Sequence, residues 1–186
     1  GRGRGGQGGP ARDLAARATF GIRISLLVAI AVTAMAVVIG TLIGLIAGYV
    51  RGSVDSLISL IVDFVWGFPL ILVAVLMAAS IGSGLVPVIL AVALVNTVAI
   101  ARVVRGEMLG ISEKEFVAAS KAGGYSTLRI LTRHIAPNVI PVALVLSSYY
   151  IAVAIIAEAA LSFVGMGAQP PLPSLGQMVS EGRNYM

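Results

Sequence analysis

The chain has 186 residues, of which 58% are hydrophobic and 11% are charged, with a net charge of +5. Soluble globular proteins carry about 25% charged residues, so this composition indicates an integral membrane protein and excludes an ordinary soluble enzyme. Cysteine is absent and His134 is the one histidine, which excludes a disulfide framework and a thiolate metal site and argues against a zinc cluster.

The N-terminal tract, residues 1–10, is rich in glycine and arginine and is predicted to be disordered because it has little apolar surface to bury. Its GRGRGG sequence has the spacing of a dinucleotide-binding loop, but no strand precedes it. An RNA-binding tail is a second interpretation, which a membrane body disfavours, so no nucleic-acid partner is expected. Residues 11–23 are interpreted as an interfacial amphipathic lead-in.

Four apolar stretches predict membrane spans at residues 24–49, 57–80, 86–101 and 139–163. The sequence therefore predicts an all-α membrane protein, a polytopic helical bundle. Small residues recur at four-residue intervals on one face of the first span, at Ala36, Gly40, Gly44 and Gly48. This pattern favours close packing of helices in lipid, and we interpret the stripe as a packing face.

A few polar or helix-breaking residues interrupt the spans. Asp63 and Pro69 lie within the second, where the WGFP sequence predicts a kinked helix that lines a cavity or a helix contact. For Asp63, a position near the lipid headgroups is an equally good interpretation. Asn96 lies in the third span, and Tyr149 and Glu158 lie in the fourth. These five residues are the candidates for a translocation pathway or for structural polar contacts.

The long polar interval at residues 102–137 contains signals for two short helices. Ser112 and Glu115 have the spacing of a capping box, which predicts a helix that begins near Glu113. Gly123 and Gly124 suit its C-terminus. A second helix is predicted at residues 127–135, with Ser126 as its cap and with Pro137 ending it or starting the next segment. Small residues at 118–120 and 122–124 would let another protein's backbone approach, although a loop solvated on one side is the simpler interpretation.

Lysine and arginine counts indicate the orientation of the bundle. Over all segments, the side that holds both termini has six basic residues and the other side has seven, so the counts do not determine the orientation. Without the five in the N-terminal region the counts are one and seven, which favours a cytoplasmic 102–137 interval and an extracytoplasmic tail at 164–186.

Two segments resemble a known family. EFVAASKAGGYSTLRILTRHIAPNVIP, which begins at Glu115, resembles the cytoplasmic EAA loop of ABC-importer permeases. AEAALSFVGMGAQPPLPSLGQMVSEGRNYM, which begins at Ala157, resembles the second permease subunit of dipeptide, oligopeptide and nickel importers. The resemblance covers nearly everything after Ala11.

The resemblance implies a six-span permease core, of which this chain would hold about four spans as an internal fragment. It also implies that residues 113–124 form a coupling helix that docks on a cytoplasmic ATPase. The implied docking residues are Glu115, Phe116, Ala118, Ala119, Ser120, Gly123, Gly124, Tyr125, His134 and Pro137. Ala118 and Ser120 stand where the family usually has Glu and Ala. The missing Glu weakens the case for a salt bridge to the ATPase, but docking by shape is still expected.

Two of the polar residues have alternative roles. His134 is interpreted as a residue of the ATPase contact or a cap near Pro137, rather than a metal ligand. Glu158 either hydrogen-bonds the backbone of the Gly/Pro tail or lines the exit of a pathway, and the structural role is favoured.

The resemblance also implies partners. The chain has no GxxxxGK[ST] motif, so it is not expected to be an enzyme, and ATP and Mg²⁺ would be bound by partner ATPases. The implied partners are a second homologous permease subunit, two ATPase subunits, an extracytoplasmic substrate-binding protein and the lipid bilayer. That binding protein would sit on the tail that holds Pro170, Pro171 and Pro173. The location would be a bacterial or archaeal plasma (inner) membrane.

The implied function is the import of di- or oligopeptides by alternating access, in which this chain forms half of the translocation pathway. A nickel importer of the same family is the main alternative. A secondary-transporter fragment would show inverted repeats, and a membrane scaffold or channel subunit would need no ATPase.

Overall fold

The computed structural model describes the backbone of residues 8–167 and the side chains of residues 19–167. The predictions for residues 1–7 and for the tail from residue 168 onward, including Pro170, Pro171 and Pro173, lie outside this part of the chain. Gly8 to Pro10, predicted to be disordered, belong to the first helix instead. The first turn of a helix tolerates a proline because its first amide groups have no partner within the helix.

The described residues contain helices and turns and no strand, so the all-α prediction is confirmed. The helices are α1 Gly8–Val50, α2 Gly52–Trp66, α3 Leu70–Ile81, α4 Leu85–Ser112, α5 Glu115–Ala122, α6 Thr127–Ile130 and α7 Ala136–Phe163, with a π-helical turn at Leu131–Ile135 between α6 and α7.

Three helical stretches of the described chain are long and apolar enough to cross a membrane, namely Thr19–Val50, Leu85–Ser112 and Thr127–Phe163. A fourth crossing requires α2 and α3 together, which are bent by 92° at the break between them. The predicted bend at the WGFP sequence is present, but it separates two helices, whereas a single kinked helix was predicted. Pro69 has ψ of 137°, an extended value, and its ring disfavours a helical conformation for the preceding residue.

The bent pair runs along α4. The start of α2 lies near the end of α4, because Arg51 hydrogen-bonds Ser112. Three residues separate the end of α3 at Ile81 from the start of α4 at Leu85. The pair therefore runs from one end of α4 to the other, as a broken span does. We call the end that holds Arg51, Ser112 and α5 the α5 end of the bundle.

The polar interval is shorter than predicted, because helices enter it from both sides. Helix α4 continues past residue 101 to Ser112, and its arginines pair with acidic residues of α2. On the other side, α6, the π turn and α7 follow one another without a gap, so Pro137 does not end a helix at residue 135. The π turn lies just before Pro137, which has no amide hydrogen, and Asn138 Nδ2 donates a hydrogen bond of 2.6 Å to the His134 carbonyl.

The predicted capping box does not form. Ser112 is the last residue of α4, and its Oγ donates to the Leu109 carbonyl at 2.8 Å. Helix α5 begins at Glu115, with no side-chain cap. Its C-terminus has the hydrogen bonds of a Schellman motif, from Tyr125 N to the Ser120 carbonyl and from Gly124 N to the Lys121 carbonyl. Gly124, with φ of +75°, supplies the left-handed residue that this motif requires.

The main contact of the bundle joins α1 and α4. A Cβ atom added at Gly44 would lie 2.6 Å from the Ala101 carbonyl oxygen, and one at Gly40 would lie 2.7 Å from that of Thr97. At Gly48 an added Cβ would lie 2.6 Å from Met108 Cγ. The stripe that begins at the fully buried Ala36 is therefore where the two helices approach most closely, as small-residue patterns allow in membranes.

Replacing Gly44 by Ala is expected to destabilise the protein by about 1–3 kcal/mol, because the new methyl group overlaps the α4 backbone. The measurement is thermal or denaturant unfolding of the purified chain in detergent. Gly110→Ala is the matched control, since a Cβ there meets nothing within 4 Å and alanine favours the helix by about 0.5–1 kcal/mol. Equal stability of Gly44→Ala and the native chain would contradict this packing.

Candidate functional site

Helix α5 lies at one end of the bundle and is held there by a narrow inner face. Val117 and Ser120 are buried, and Val117 belongs to the cluster that contains Met108, Ile111 and Ile135. The opposite face is exposed and combines Phe116 with small side chains at Ala118 and Ala119. A short helix with one aromatic side chain and little bulk around it suits insertion into a groove on another protein.

Most of the predicted docking residues lie on the surface of this loop. Glu115, Phe116, Ala118, Ala119, Gly123, Gly124, Tyr125 and Pro137 are exposed, and His134 is partly exposed. Ser120 differs, because it is buried and its Oγ donates a hydrogen bond of 2.7 Å to the Phe116 carbonyl. Ser120 therefore contributes to the inner face of α5 rather than to its outer surface.

Tyr125 organises a second part of the loop surface. Its ring centroid lies 6.2 Å from that of His134, and the Arg129 guanidinium lies 5.6 Å from the ring. His134 reaches this position from the π turn. The three side chains join the end of α5 to the start of the last long helix, and Arg129 adds a positive charge beside the exposed face of α5.

Glu158 is buried between α1 and α7 near the other end of the bundle. Its side chain is 3% exposed and both carboxyl oxygens accept hydrogen bonds, Oε2 from Ser25 and Oε1 from Ser162, each at 2.8 Å. A carboxyl group in the apolar part of a bundle requires such partners. Glu158 thus ties α7 to α1, and its predicted contact with the tail falls largely outside the described residues.

Asp63 contacts α4 through an ion pair with Arg102, whose guanidinium also lies 5.7 Å from the Trp66 ring. One turn of α4 closer to the α5 end, Arg105 donates hydrogen bonds to Asp55, from Nε at 2.5 Å and from Nη2 at 2.7 Å. These two ion pairs fasten α2 to α4. They flank a cavity of about 250 Å³ that is also lined by Gly44 and Ala101.

Sequence reasoning missed Asp55, Arg102 and Arg105. A usable signal was present, because Asp55 and Asp63 are eight residues apart and therefore share a face of α2. Arg102 and Arg105, three residues apart, likewise share a face of α4.

The five predicted pathway candidates do not form one site. Glu158 lies beside Ser25. Asp63 pairs with Arg102, whose neighbour in the sequence, Ala101, contacts Gly44. Ser25 and Gly44 are separated by roughly 28 Å along α1 at 1.5 Å per residue.

The other three candidates also differ in their surroundings. Pro69 is exposed at the bend, and Tyr149 is exposed and makes an edge contact of 5.1 Å with Tyr150. Asn96 is 3% exposed, and its Nδ2 has no hydrogen-bond partner among the described residues.

Removal of the Glu158 side chain is expected to destabilise the protein. Glu158→Ala leaves the Ser25 and Ser162 hydroxyl groups without their acceptor and opens a cavity, which costs about 2–5 kcal/mol. Glu158→Gln is the matched control, because its amide can accept one hydrogen bond and donate another to a rotated serine hydroxyl; it is expected to stay within about 1 kcal/mol of the native chain. Unfolding in detergent measures both. Equal losses for the two variants would contradict the assignment of its role to these two hydrogen bonds.

The sequence is similar to permease proteins of peptide and glutathione transport systems. It is 41% identical over 175 residues to the oligopeptide transport system permease protein OppC of Salmonella typhimurium. It is 42% identical over 175 residues to the glutathione transport system permease protein GsiD of Shigella flexneri. In both cases the match covers 94% of this chain and 58% of the relative, so the chain spans little more than half the length of these proteins.

The fold also matches a solved structure. An inward-facing form of the MetNI methionine ABC transporter superposes with a TM-score of 0.67 and 23% sequence identity, over 89% of this chain and 80% of the other. At this identity the likeness shows the fold alone. The model of the family described as "Binding-protein-dependent transport system inner membrane component" matches residues 40–186, which is most of the chain. The chain therefore belongs to the family of inner membrane components of binding-protein-dependent transport systems.

Proposed function

We propose that the chain is part of a permease subunit of an ATP-driven importer for peptides, and that α5 is the helix through which it docks on an ATPase. The observation that carries the proposal is the arrangement of α5. Its inner face holds Val117 and Ser120 against the bundle, and its outer face leaves Phe116 and Ala119 exposed. Exposed apolar residues rimmed by charged ones mark contact sites for other proteins.

The chemistry of the outer face suits docking by shape. Phe116 is the large side chain that fills a pocket, and Ala118, Ala119 and Gly123 allow a partner's backbone to approach closely. Arg129 and His134 lie beside Tyr125 on the same loop and would meet polar groups at the rim of the groove. Polar contacts at the rim contribute more to the orientation of the bound partner than to the binding affinity.

The proposed transport cycle assigns each component a task. The chain and a second homologous permease subunit form the two halves of the pathway, and two partner ATPases bind ATP and Mg²⁺ and supply the differential binding energy for alternating access. An extracytoplasmic substrate-binding protein delivers the peptide. Peptide cargo is supported by the names of the relatives, which transport oligopeptides and glutathione.

The proposed location is the inner membrane of a bacterium, with the α5 end in the cytoplasm. The family description supports the inner membrane. The orientation is supported by the basic residues at this end, among them Arg51, Lys114, Lys121, Arg129 and Arg133.

The proposal is tested with a single cysteine placed on α5. These 186 residues contain no cysteine, so Ala119→Cys adds the one thiol in this part of the permease, on an exposed, small side chain, and cysteines elsewhere in the full-length protein are replaced by serine. In the full-length permease, coexpressed with the other components of its transporter, a crosslinker at this thiol is expected to capture a P-loop ATPase. Excess unlabelled ATPase is expected to abolish the product.

Ser83→Cys is the matched control, because Ser83 is also small and exposed but lies in the turn between α3 and α4, at the opposite end of the bundle. It should give no ATPase product. Crosslinking of the ATPase from both positions, or from neither, would contradict docking through α5.

A further inference from the structure

We propose that Arg51 is a positioning residue that clamps the turn between α1 and α2 onto the connection between α4 and α5. The clamp transmits movement of α5 to α2, and through α2 to the bent α2–α3 crossing. This inference rests on the proposed function, since it assumes that an ATPase moves α5.

The clamp joins two connections that are far apart in the sequence. Arg51 Nη2 donates a hydrogen bond of 2.8 Å to Ser112 Oγ and lies 3.9 Å from a carboxyl oxygen of Glu113. Ser112 ends α4, and α5 begins three residues later at Glu115. Gly52, the residue after Arg51, begins α2. A displacement of α5 at residues 112–114 therefore acts directly on the start of α2.

The backbone of Arg51 is strained. Its φ of 53° and ψ of −173° lie in a region that is essentially restricted to glycine, and it is the one described residue other than glycine with a positive φ. Such a conformation persists where the surrounding structure fixes it, and strained residues of this kind concentrate at functional sites. A glycine at this position would make the turn without strain, but it would have no side chain to reach Ser112.

Helix α2 is held weakly enough to follow a movement of α5. Val62 is its one buried residue, and only the partly buried Ile58 and Val65 pack beside it, so α2 buries little apolar surface. The ion pairs of Asp55 and Asp63, and the contact of Trp66 with Arg102, add polar attachments to α4. Elements with few buried apolar contacts move at low cost in free energy. Ion pairs between partly exposed side chains exchange partners more readily than a packed interface does.

A cavity lies where α5 would move. It has a volume of about 590 Å³ and separates the end of α1 from α5, with Tyr49, Arg51, Met108, Ser112, Val117 and Lys121 among its lining residues. The space is open at one side, and it leaves room for a displacement of α5 toward α1. The hydrogen bond of Arg51 to Ser112 spans the edge of this space.

The test uses the full-length permease, assembled with its ATPases and binding protein in proteoliposomes. The measured quantity is the number of peptide molecules transported per ATP hydrolysed, together with the unfolding midpoint of the complex. Arg51→Gly is expected to keep or raise the midpoint, because glycine relieves the strained backbone, while the transport ratio falls on the order of fivefold. A purely structural role would not separate the two readouts in this way.

Two further variants complete the experiment. Ser112→Ala removes the acceptor of the 2.8 Å hydrogen bond and leaves the backbone of residue 51 and the longer, exposed contact with Glu113 unchanged. Because the hydrogen bond carries the clamp, this variant should lower the ratio as Arg51→Gly does. Ser53→Ala, an exposed serine in the first turn of α2, should keep the native ratio. If Arg51→Gly fails to assemble, Ser112→Ala decides alone, and a native ratio overturns the clamp.

The clamp and the proposed function fail in different ways. A native complex that transports peptide, while Arg51→Gly and Ser112→Ala keep the full ratio, overturns the clamp alone. A native permease that recruits no ATPase contradicts the proposed function and the clamp with it.

Discussion

The close approach of the α1 and α4 backbones is the contact on which the rest of the described bundle depends. Lipid gives two apolar helices no hydrophobic reason to associate, so their attraction comes from dispersion between surfaces that fit closely. Gly40 and Gly44 provide that fit by letting the carbonyl groups of Thr97 and Ala101 come within contact distance. With this pair in place, α7 packs against both helices, and Glu158 joins it to α1 through Ser25.

Helix α2 is attached by a different kind of interaction. Its ion pairs with Arg102 and Arg105 stabilise a position without burying much apolar surface, which leaves the α2–α3 crossing less firmly held than the α1, α4 and α7 core. Helix α5 is likewise held by one narrow face at the end of this core. A well-packed core with two less firmly held elements, joined at Arg51 and Ser112, is an arrangement that suits the proposed coupling to an ATPase.

The sequence predicted those features that depend on local pattern. Apolar length predicted the long helices, the spacing of Gly40, Gly44 and Gly48 predicted a close packing face, and Gly124 predicted the end of α5. It failed where partners distant in the chain decide the outcome. Ser112 and Glu115 have the spacing of a capping box, but α4 extends through Ser112. The hydroxyl oxygen of Ser112 accepts a hydrogen bond from Arg51 instead. The two ion pairs between α2 and α4 were not predicted, because each charged residue taken alone is equally well explained by a position near the lipid headgroups at the end of a span.

The most direct test of the account is a cryo-electron microscopy structure of the full-length permease assembled with its ATPase subunits. We expect the exposed face of α5, with Phe116 at its centre and Ala119 beside it, to lie in a groove of an ATPase, while Val117 remains packed on the bundle. An assembled complex in which the ATPase contacts another surface and leaves α5 in solvent would contradict it.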